Sequence, residues 1–387
     1  MNEGNGSNRG IPGFAGAAGA SVSPLPEGSR FGMPPAGIFQ SRKWGCGVSA
    51  ARTYLDWNAT APLRPEAREA FVAALDLVGN PSSVHAEGRA ARMLIERARA
   101  QVASLVGCKA GEVVFTSGAT EAAGVLAGYD RVLVDPTAHD CLMAHERAGE
   151  GRQVRAVGLA NSETGVIQEA AAGDGALLLD VVQAVGRVPF VFGWSGADFA
   201  IVSAHKLGGP KGVGALIVKD GVDIASLRKG GGQEQGRRSG TENVAGIAGL
   251  GAAAAAAERD LNDGVWERVR ALRDRLEARL VADGAGIAIA GAGMTRLPNT
   301  SSIVTPGWKG ETQVMQMDLA GFAVSAGSAC SSGKVRPSRV LKAMGFDDGA
   351  AASAIRVSLG PTTTEEEVMR FADVWLAHRT KFRARAA

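Results

Sequence analysis

The sequence contains few cysteines, and their spacing is not that of a metal site. Its four cysteines are Cys46, Cys108, Cys141 and Cys330, and no two of them form a CxxC pair. This pattern argues against a zinc site and against a disulfide framework, and it fits a reducing compartment. We therefore expect no metal centre and a cytoplasmic location.

Long apolar runs and an excess of charge of one sign are also missing. No segment approaches the roughly 18 consecutive apolar residues of a membrane span, so the sequence predicts none. The 42 Lys and Arg residues nearly balance the 39 Asp and Glu residues, and they form no basic stripe. A formal net charge of +3 gives no reason to expect nucleic acid as a direct partner.

What is present is the composition of a globular protein, in a chain long enough for two domains. The 387 residues are 45% hydrophobic and 21% charged. Residues 1–52 are rich in Gly, Ala, Ser and Pro without a sustained period, which predicts a poorly ordered extension rather than a signal peptide. We expect a large domain at 65–263 and a smaller domain formed by 53–64 and 264–387.

Short apolar runs alternate with segments of helical periodicity through the middle of the chain. This alternation predicts an α/β fold with a mostly parallel sheet flanked by helices. One helix is expected to begin at His139 and to reach about Gly149. Another spans 86–106, and we interpret its arginines as a solvated face: Arg89, Arg92, Arg97 and Arg99. The predicted strands are 113–116, 131–134, 154–159, 177–180 and 198–202.

The turn at 203–214 joins two apolar runs and is packed with glycine around Lys206. Glycine permits positive φ angles and lets the backbone approach a ligand closely. A lysine at the mouth of a buried strand can lose its proton through desolvation and act as a nucleophilic amine. The alternative is a glycine-rich hairpin with a surface lysine, and this stretch alone does not decide between them.

Other polar groups follow predicted strands and should collect at the same sheet edge. The turn at 117–120 opens a helix and can bind an anion, although an ordinary capping box would look the same. Asp180 stands at a strand end, Gln183 follows it, and His139 follows another strand. These groups match the needs of pyridoxal phosphate. The cofactor requires a helix start for its phosphate, a carboxylate for its ring nitrogen, a stacking partner for its ring and a lysine for its aldehyde.

Two further residues stand out in the last quarter of the chain. Cys330 is flanked by small residues, which suggests an exposed and reactive thiol, although most free cysteines are buried and structural. Arg356 interrupts an apolar strand and needs an anionic partner, and a substrate carboxylate would serve.

Six stretches together resemble the cysteine desulfurases, which belong to the class V aminotransferase family with pyridoxal phosphate fold type I. The resemblance covers about residues 53–380, and the Gly-Ser-Ala-Cys segment is similar to that of the NifS/IscS branch. It implies a large domain with a mostly parallel sheet and a smaller α+β domain. The matching stretches are 54–60, 79–83, 116–121, 203–206, 238–241 and 325–330.

The resemblance implies a role for each candidate residue. Lys206 binds the cofactor covalently and moves the substrate Cα proton, His139 stacks on the ring and shuttles protons, and Cys330 takes the substrate sulfur as a persulfide. Arg356 and Asn161 bind the substrate. Asp180 pairs with the ring nitrogen and Gln183 contacts the ring hydroxyl. The remaining implied contacts are to the phosphate, and they come from Ala119, Thr120, Ser203, His205 and, from the other subunit of a homodimer, Thr241.

The chain departs from the family pattern in two places, which are the segment from His139 to Asn161 and the residue that follows it, Ser162. The family has a second Asn where this chain has Ser162, which offers no amide for the cofactor. The segment from His139 to Asn161 is also too short for the strand–helix unit of the family. We therefore expect a large sheet that lacks one strand or pairs differently there, and a shortened helix between Gln168 and Leu177.

The function implied by the resemblance is pyridoxal phosphate-dependent conversion of L-cysteine to L-alanine, with the sulfur passed to an acceptor protein. The acceptor would be an iron–sulfur scaffold or a tRNA-thiolation carrier. One alternative is a catalytically weakened paralogue that acts as a binding subunit in sulfur transfer. Another is a selenocysteine lyase or a class V transaminase, although a transaminase has no use for Cys330.

Overall fold

The fold alternates strands and helices, and a computed structural model describes it for residues 52–170, 173–284, 286–327 and 337–386. The strands are β1 (Thr53–Tyr54), β2 (Val113–Thr116), β3 (Arg131–Val134), β4 (Gln153–Gly158), β5 (Ala176–Asp180), β6 (Phe199–Ser203), β7 (Gly214–Val218), β8 (Ala288–Ile289), β9 (Thr300–Val304), β10 (Phe322–Ala323), β11 (Ser325–Ala326) and β12 (Ala354–Ser358).

The helices alternate with these strands along the chain, and several begin at a residue that the sequence indicates as a helix start. Pro65 opens the first helix, and the His85 side chain caps the second. The helices are α1 (Pro65–Leu75), α2 (Ala86–Val106), α3 (Ala119–Ala122), α4 (Asp140–Met143), α5 (Val244–Asn262), α6 (Val265–Val281), α7 (Gly310–Leu319), α8 (Arg339–Ala343), α9 (Asp348–Ala351) and α10 (Glu365–Ala386).

The main sheet has six strands in the order β2-β7-β6-β5-β4-β3. Strands β3 to β6 pair in parallel, and β7 is antiparallel to both of its neighbours. The prediction of a mostly parallel sheet is confirmed. Because β2 therefore runs in the same direction as β6, the carboxyl ends of five strands meet at one edge, where ligand sites of α/β folds form.

The two faces of the main sheet are covered by separate hydrophobic cores. Residues at alternate positions of a strand point to opposite faces. Leu177 and Leu179 of β5 belong to the core that also contains α2 and α5 residues, whereas Leu178 packs with Leu126 and Leu142 on the other face. Strands buried on both faces read as continuous apolar runs, which is why these strands could be predicted.

A third core lies between the smaller sheet, of order β11-β12-β9-β8, and helices α6, α7 and α10. Leu55, beside strand β1, packs in this core. That packing agrees with the grouping of 53–64 with 264–387, but the domain boundary stays a prediction. The predicted extension at 1–52 lies outside the described residues except for Arg52.

The segment after β3 differs from the prediction. The helix expected to reach Gly149 is the four-residue α4, which ends at Met143. The chain then turns back, and Arg147 pairs with Val132 through two backbone hydrogen bonds of 3.0 and 3.1 Å. This short pairing covers the outer edge of β3, where a further strand would otherwise lie. Likewise, no helix occurs between Gln168 and β5 among the residues described there.

The interpretation of the α2 arginines as a solvated face is wrong for Arg99. Its guanidinium is buried and holds both carboxylate oxygens of Glu234 at 2.8 Å. The Glu234 carboxylate also accepts a hydrogen bond of 2.8 Å from the backbone of Phe115 in β2. A buried charge needs a partner of opposite charge, and the Arg99–Glu234 ion pair connects the loop at 233–236 to α2.

No helix in the described part of the chain is long and apolar enough to cross a membrane.

Candidate active site

A cavity of about 810 Å³ opens at the edge where the strand carboxyl ends meet. Its wall combines turns that follow β2, β3, β4, β5 and β6 with the segment after β1 and with Arg356 of β12. The fold therefore brings together most of the site residues predicted from the sequence. Those in the wall are Ala119, Thr120, His139, Asn161, Asp180, Gln183, Ser203, His205, Lys206 and Arg356.

Lys206 ends a single helical turn that directly follows β6. Its Nζ donates hydrogen bonds to the backbone oxygens of Asn58, at 2.6 Å, and Ala59, at 2.8 Å. Beyond it the chain turns through Gly208 and Gly212, whose φ angles of 81° and 78° favour glycine. The stretch is thus a hairpin between β6 and β7 and also places an amine in the cavity.

Asp180 is the last residue of β5 and is almost fully buried. Burial raises the pKa of its carboxyl, and this effect is opposed by the Val182 backbone N–H and by the charges of His139 and Lys206. The only hydrogen bond found for the carboxyl among the described residues comes from Val182, at 3.0 Å. A cationic N–H entering the cavity would supply a hydrogen-bond partner that this carboxylate does not find among the described side chains.

Gln183 lies on the turn after β5, and its side-chain amide forms hydrogen bonds with Arg187 and Asn58. The Arg187 guanidinium donates to Gln183 Oε1, and Gln183 Nε2 donates to the Asn58 backbone oxygen at 3.0 Å. Asn58 thus accepts hydrogen bonds from both Gln183 and Lys206. The segment after β1 fixes the two side chains relative to each other.

His139 caps the start of α4 and presents its ring to the cavity. Its Nδ1 accepts a hydrogen bond of 3.1 Å from the backbone N–H of Cys141. In the neutral ring the proton must then sit on Nε2, which leaves that nitrogen as the donor. Cys141 also lines the cavity, which the sequence did not indicate.

His205 and Ser203 stand on the side of the cavity nearest to β7. His205 Nδ1 lies 3.1 Å from Thr60 Oγ1. Burial lowers the pKa of His205 to about 4, and the positive charges of Lys206, Lys211 and Arg187 add to this effect. The imidazole is therefore neutral near pH 7, and it can donate a hydrogen bond to an anion without carrying a charge of its own.

The turn between β2 and α3 borders the cavity next to Ser203. Glu121 accepts a 2.6 Å hydrogen bond from the Ser117 backbone and a 3.0 Å hydrogen bond from Arg238 Nε. Although burial opposes it, Arg238 and Ser117 lower the pKa of Glu121 to about 2. The N-cap residue of α3 is Gly118, and no side chain caps this helix start, so the turn is not an ordinary capping box. The contacts of Glu121 instead fix the turn that offers Ala119 and Thr120 to the cavity.

Arg356 lines the same cavity and is already paired. Its Nη2 contacts Asp56 Oδ1 at 2.8 Å, and its Nη1 donates to the Ser162 backbone oxygen at 3.1 Å. Ser325 donates to the other oxygen of Asp56 at 2.7 Å. A substrate carboxylate would therefore bind a guanidinium that Asp56 holds in place and partly neutralises.

The Asn161 amide is largely used within its own turn. Its Oδ1 accepts hydrogen bonds from the backbone of Glu163, at 2.9 Å, and of Thr164, at 3.0 Å. Its Nδ2 donates to the Thr137 backbone oxygen at 2.9 Å. These contacts connect the turn after β4 to the turn after β3, and the predicted substrate contact of Asn161 stays a prediction.

Glu163 lies on the turn after β4, and its titration gives a testable stability effect. Burial raises the pKa of Glu163 to about 7, against the hydrogen bond from Ser338 and the charges of Arg356 and Arg339. As the pH rises from 4.5 to 7, the unfolded chain releases this proton before the folded chain does, so the free energy of unfolding falls. The penalty reaches about 3 kcal/mol above pH 7.

We expect Glu163→Gln to remove this loss of stability. As the pH rises from about 4 to about 8, the free energy of unfolding of the variant should increase relative to that of the wild type by up to about 3 kcal/mol. Urea unfolding of both proteins across this range measures the difference, and Glu169→Gln, at an exposed glutamate nearby, is the control. A constant difference between wild type and Glu163→Gln would contradict the burial of a neutral carboxyl.

Two predicted residues remain, and only one of them lies in the described part of the chain. Thr241 is exposed and lies outside the cavity of its own chain. Cys330 lies outside the described residues, between Gly327 and Pro337. Both roles stay predictions.

Sequence reasoning missed several residues that shape the site. Asn58, Thr60 and Asp56 come from a stretch that carries the resemblance to the family but to which sequence reasoning assigns no role. Arg187 follows Gln183 by four residues, and that helical spacing was the available signal for its contact. Among the described residues, no group of His, Cys, Asp and Glu side chains could hold a metal ion.

The donor set of the cavity fits pyridoxal phosphate. Asp180 offers a buried carboxylate with no cationic hydrogen-bond partner in the described part of the chain, Lys206 offers an amine, and the start of α3 offers a backbone turn. A Cβ atom added at Gly118 in this turn would meet no atom within 4 Å, so a bulky anion has room there. We therefore find a place for the ring nitrogen, the aldehyde and the phosphate in one cavity.

Comparison with known proteins supports the same reading. The family model for aminotransferase class-V matches residues 53–138 and 146–371. A cysteine desulfurase of Cereibacter sphaeroides is 40% identical over 370 residues, which cover 84% of this chain and 94% of that protein. A cysteine desulfurase of Frankia sp. (strain EuIK1) is 41% identical over 378 residues, which cover 83% of this chain and 90% of that protein.

The solved structures agree with the fold. The X-ray structure of a NifS-like protein from Rickettsia africae superimposes with a TM-score of 0.77 at 30% identity, covering 84% of this chain and 98% of that one. The family match leaves out 139–145, which is the region where α4 is short and the sheet ends at β3.

Proposed function

The chain belongs to the aminotransferase class-V family and, within it, to the cysteine desulfurases, and on this premise we propose how its residues act. It is a pyridoxal phosphate-dependent enzyme that removes sulfur from L-cysteine. The observation that carries the assignment of residues is the single cavity in which ten of the predicted side chains meet around Lys206.

Each polar group of the cavity wall is proposed to bind one part of the cofactor. Asp180 would pair with the ring nitrogen, Gln183 would donate to the ring hydroxyl, and His139 would stack on the ring. The phosphate would take hydrogen bonds from the turn at Ala119 and Thr120 and from Ser203 and His205. When bound, pyridoxal phosphate supplies an electron sink for the electron pair released at the substrate Cα.

Separate residues of the chain bind L-cysteine, move its proton and attack its sulfur. Lys206 binds the cofactor and moves the Cα proton, and Arg356 holds the carboxylate together with Asn161. The Cys330 thiolate attacks the substrate sulfur. An S–S bond forms while the C–S bond breaks, and that electron pair stays with the carbon that becomes the methyl group of L-alanine. Cys330 is left as the persulfide.

The site would be completed by a second copy of the chain. Thr241 is exposed and does not line the cavity of its own chain, which supports a role at the cavity of a homodimer partner. The persulfide would pass to an acceptor protein in the cytoplasm, either an iron–sulfur scaffold or a tRNA-thiolation carrier. Gel filtration with light scattering tests the dimer, and a monomer with full activity would refute the shared site.

Cofactor loading tests the site itself. Purified protein should bind one pyridoxal phosphate per chain and show the absorbance of a lysine-linked cofactor. Addition of L-cysteine should then change that absorbance and release alanine. A weakened paralogue would bind the cofactor without turnover, and a selenocysteine lyase would act on selenocysteine in preference to cysteine.

We expect Arg356→Lys to raise KM for L-cysteine by about 10- to 100-fold with a smaller change in kcat. An ammonium loses the paired hydrogen bonds that a guanidinium offers to a carboxylate, which are worth about 1.5–3 kcal/mol. Steady-state kinetics measure the split between KM and kcat. Arg296→Lys, which changes a half-buried arginine paired with Glu277 outside the cavity, is the matched control. An unchanged KM in Arg356→Lys would contradict the carboxylate role.

A further inference from the structure

Arg187 is a buried cation without a carboxylate partner in the described part of the chain. Arg187 is 5% exposed, and the oxygens to which its guanidinium donates among the described residues are all uncharged. These are the Asn58 Oδ1 at 3.2 Å, the Gln183 backbone oxygen at 3.1 Å, the Gln183 Oε1 and the Lys206 backbone oxygen at 3.3 Å. Burial, with the charge of Arg356, lowers the pKa of Arg187 to about 9, which still leaves it protonated at neutral pH.

A guanidinium can donate hydrogen bonds but cannot accept them, and this settles which way the Gln183 amide points. The Gln183 Oε1 must face Arg187, because the opposite orientation would bring two sets of N–H donors together. The Nε2 then lies on the other side, where one of its hydrogens goes to the Asn58 backbone oxygen at 3.0 Å. Since Gln183 lines the cavity, its second Nε2 hydrogen is available to a ligand there.

We propose that Arg187 is a positioning residue that forces Gln183 to present a hydrogen-bond donor, and never an acceptor, to the ring hydroxyl of the cofactor. The inference rests on the proposed function, because it requires pyridoxal phosphate in this cavity. A donor stabilises the ionised form of that hydroxyl and so makes the protonated form of the lysine-linked cofactor easier to deprotonate.

The same guanidinium also reaches the backbone of Lys206. The Asn58 side-chain oxygen accepts a hydrogen bond from Arg187, and the Asn58 backbone oxygen accepts hydrogen bonds from both Gln183 and Lys206. Arg187 therefore sets the position of the amide and of the amine through one connected set of hydrogen bonds. An arginine with a purely structural role would affect stability but not the protonation of the cofactor.

The test is a pH titration of the absorbance of the bound cofactor in three proteins. We expect Arg187→Lys, which keeps the charge but cannot bridge the same oxygens, to raise the midpoint by about one pH unit, the size of one charge-assisted hydrogen bond. We expect Gln183→Glu to raise it further, because its carboxylate remains paired with Arg187 but offers only acceptors to the ring. Arg273→Lys changes a buried arginine outside the cavity wall and should titrate as the wild type does.

A wild-type midpoint in Arg187→Lys would overturn the inference, and so would a wild-type midpoint in Gln183→Glu. Gln183→Glu retains Arg187, so it keeps the test valid if Arg187→Lys does not fold. A wild-type protein that binds no cofactor would be a different result, because it would refute the proposed function before the role of Arg187 could be measured.

Discussion

Lys206→Ala is expected to lose the covalent attachment of the cofactor and to slow alanine formation by roughly a thousandfold or more. The Lys206 amine is the group that the cavity offers both to the aldehyde and to the substrate Cα proton. Alanine at this position removes both functions while Asp180 and the turn after β2 remain to bind the cofactor without a covalent link. Borohydride reduction followed by intact mass measurement detects the attachment.

Lys211→Ala provides the matched control for this experiment. Lys211 lies on the same glycine-rich turn and also borders the cavity, but the assignment gives it no bond to the cofactor. Its variant should still gain the mass of the reduced cofactor. Cofactor fixed by borohydride to Lys206→Ala would show that a different amine carries the chemistry.

Cys330→Ala is expected to keep the cofactor absorbance and to lose sulfide release. The thiolate of Cys330 is the proposed nucleophile, and loss of a nucleophile that works together with its catalytic base typically removes a factor of roughly 10³ or more. The cofactor contacts come from other residues, so binding should not change. Cofactor absorbance, together with sulfide measured in the presence of a thiol reductant, separates the two effects.

Cys108→Ala is the control for the loss of a thiol. Cys108 packs against the main core, and burial raises the pKa of its thiol to about 12, so it is protonated and unreactive at neutral pH. Its variant should release sulfide at the wild-type rate. Full sulfide release by Cys330→Ala would refute the persulfide role.

The site could be predicted from the sequence where it depends on strand ends. Asp180, Ser203 and Lys206 follow apolar runs, and the parallel arrangement brings such residues to one edge without further information. The turn at Ala119 was predicted for the same reason. These assignments depend on local pattern and on the direction of the strands, both of which the sequence shows.

The contacts behind the site could not be predicted in this way. Asn58 lies 125 residues from Gln183 and 148 residues from Lys206, and only tertiary packing brings its backbone oxygen to both. Arg99 looked solvated because helical periodicity does not show that Glu234 comes back to meet it. The helix after His139 was predicted too long because the pairing of Arg147 with Val132, which turns the chain back, is also a tertiary contact.

The central claim is that this cavity performs desulfuration, and the products formed from L-cysteine test it most directly. Protein loaded with pyridoxal phosphate should convert L-cysteine to L-alanine in the presence of a thiol reductant, with one sulfide released for each alanine. Pyruvate and ammonia formed together with sulfide, or a keto acid formed without sulfide, would contradict it.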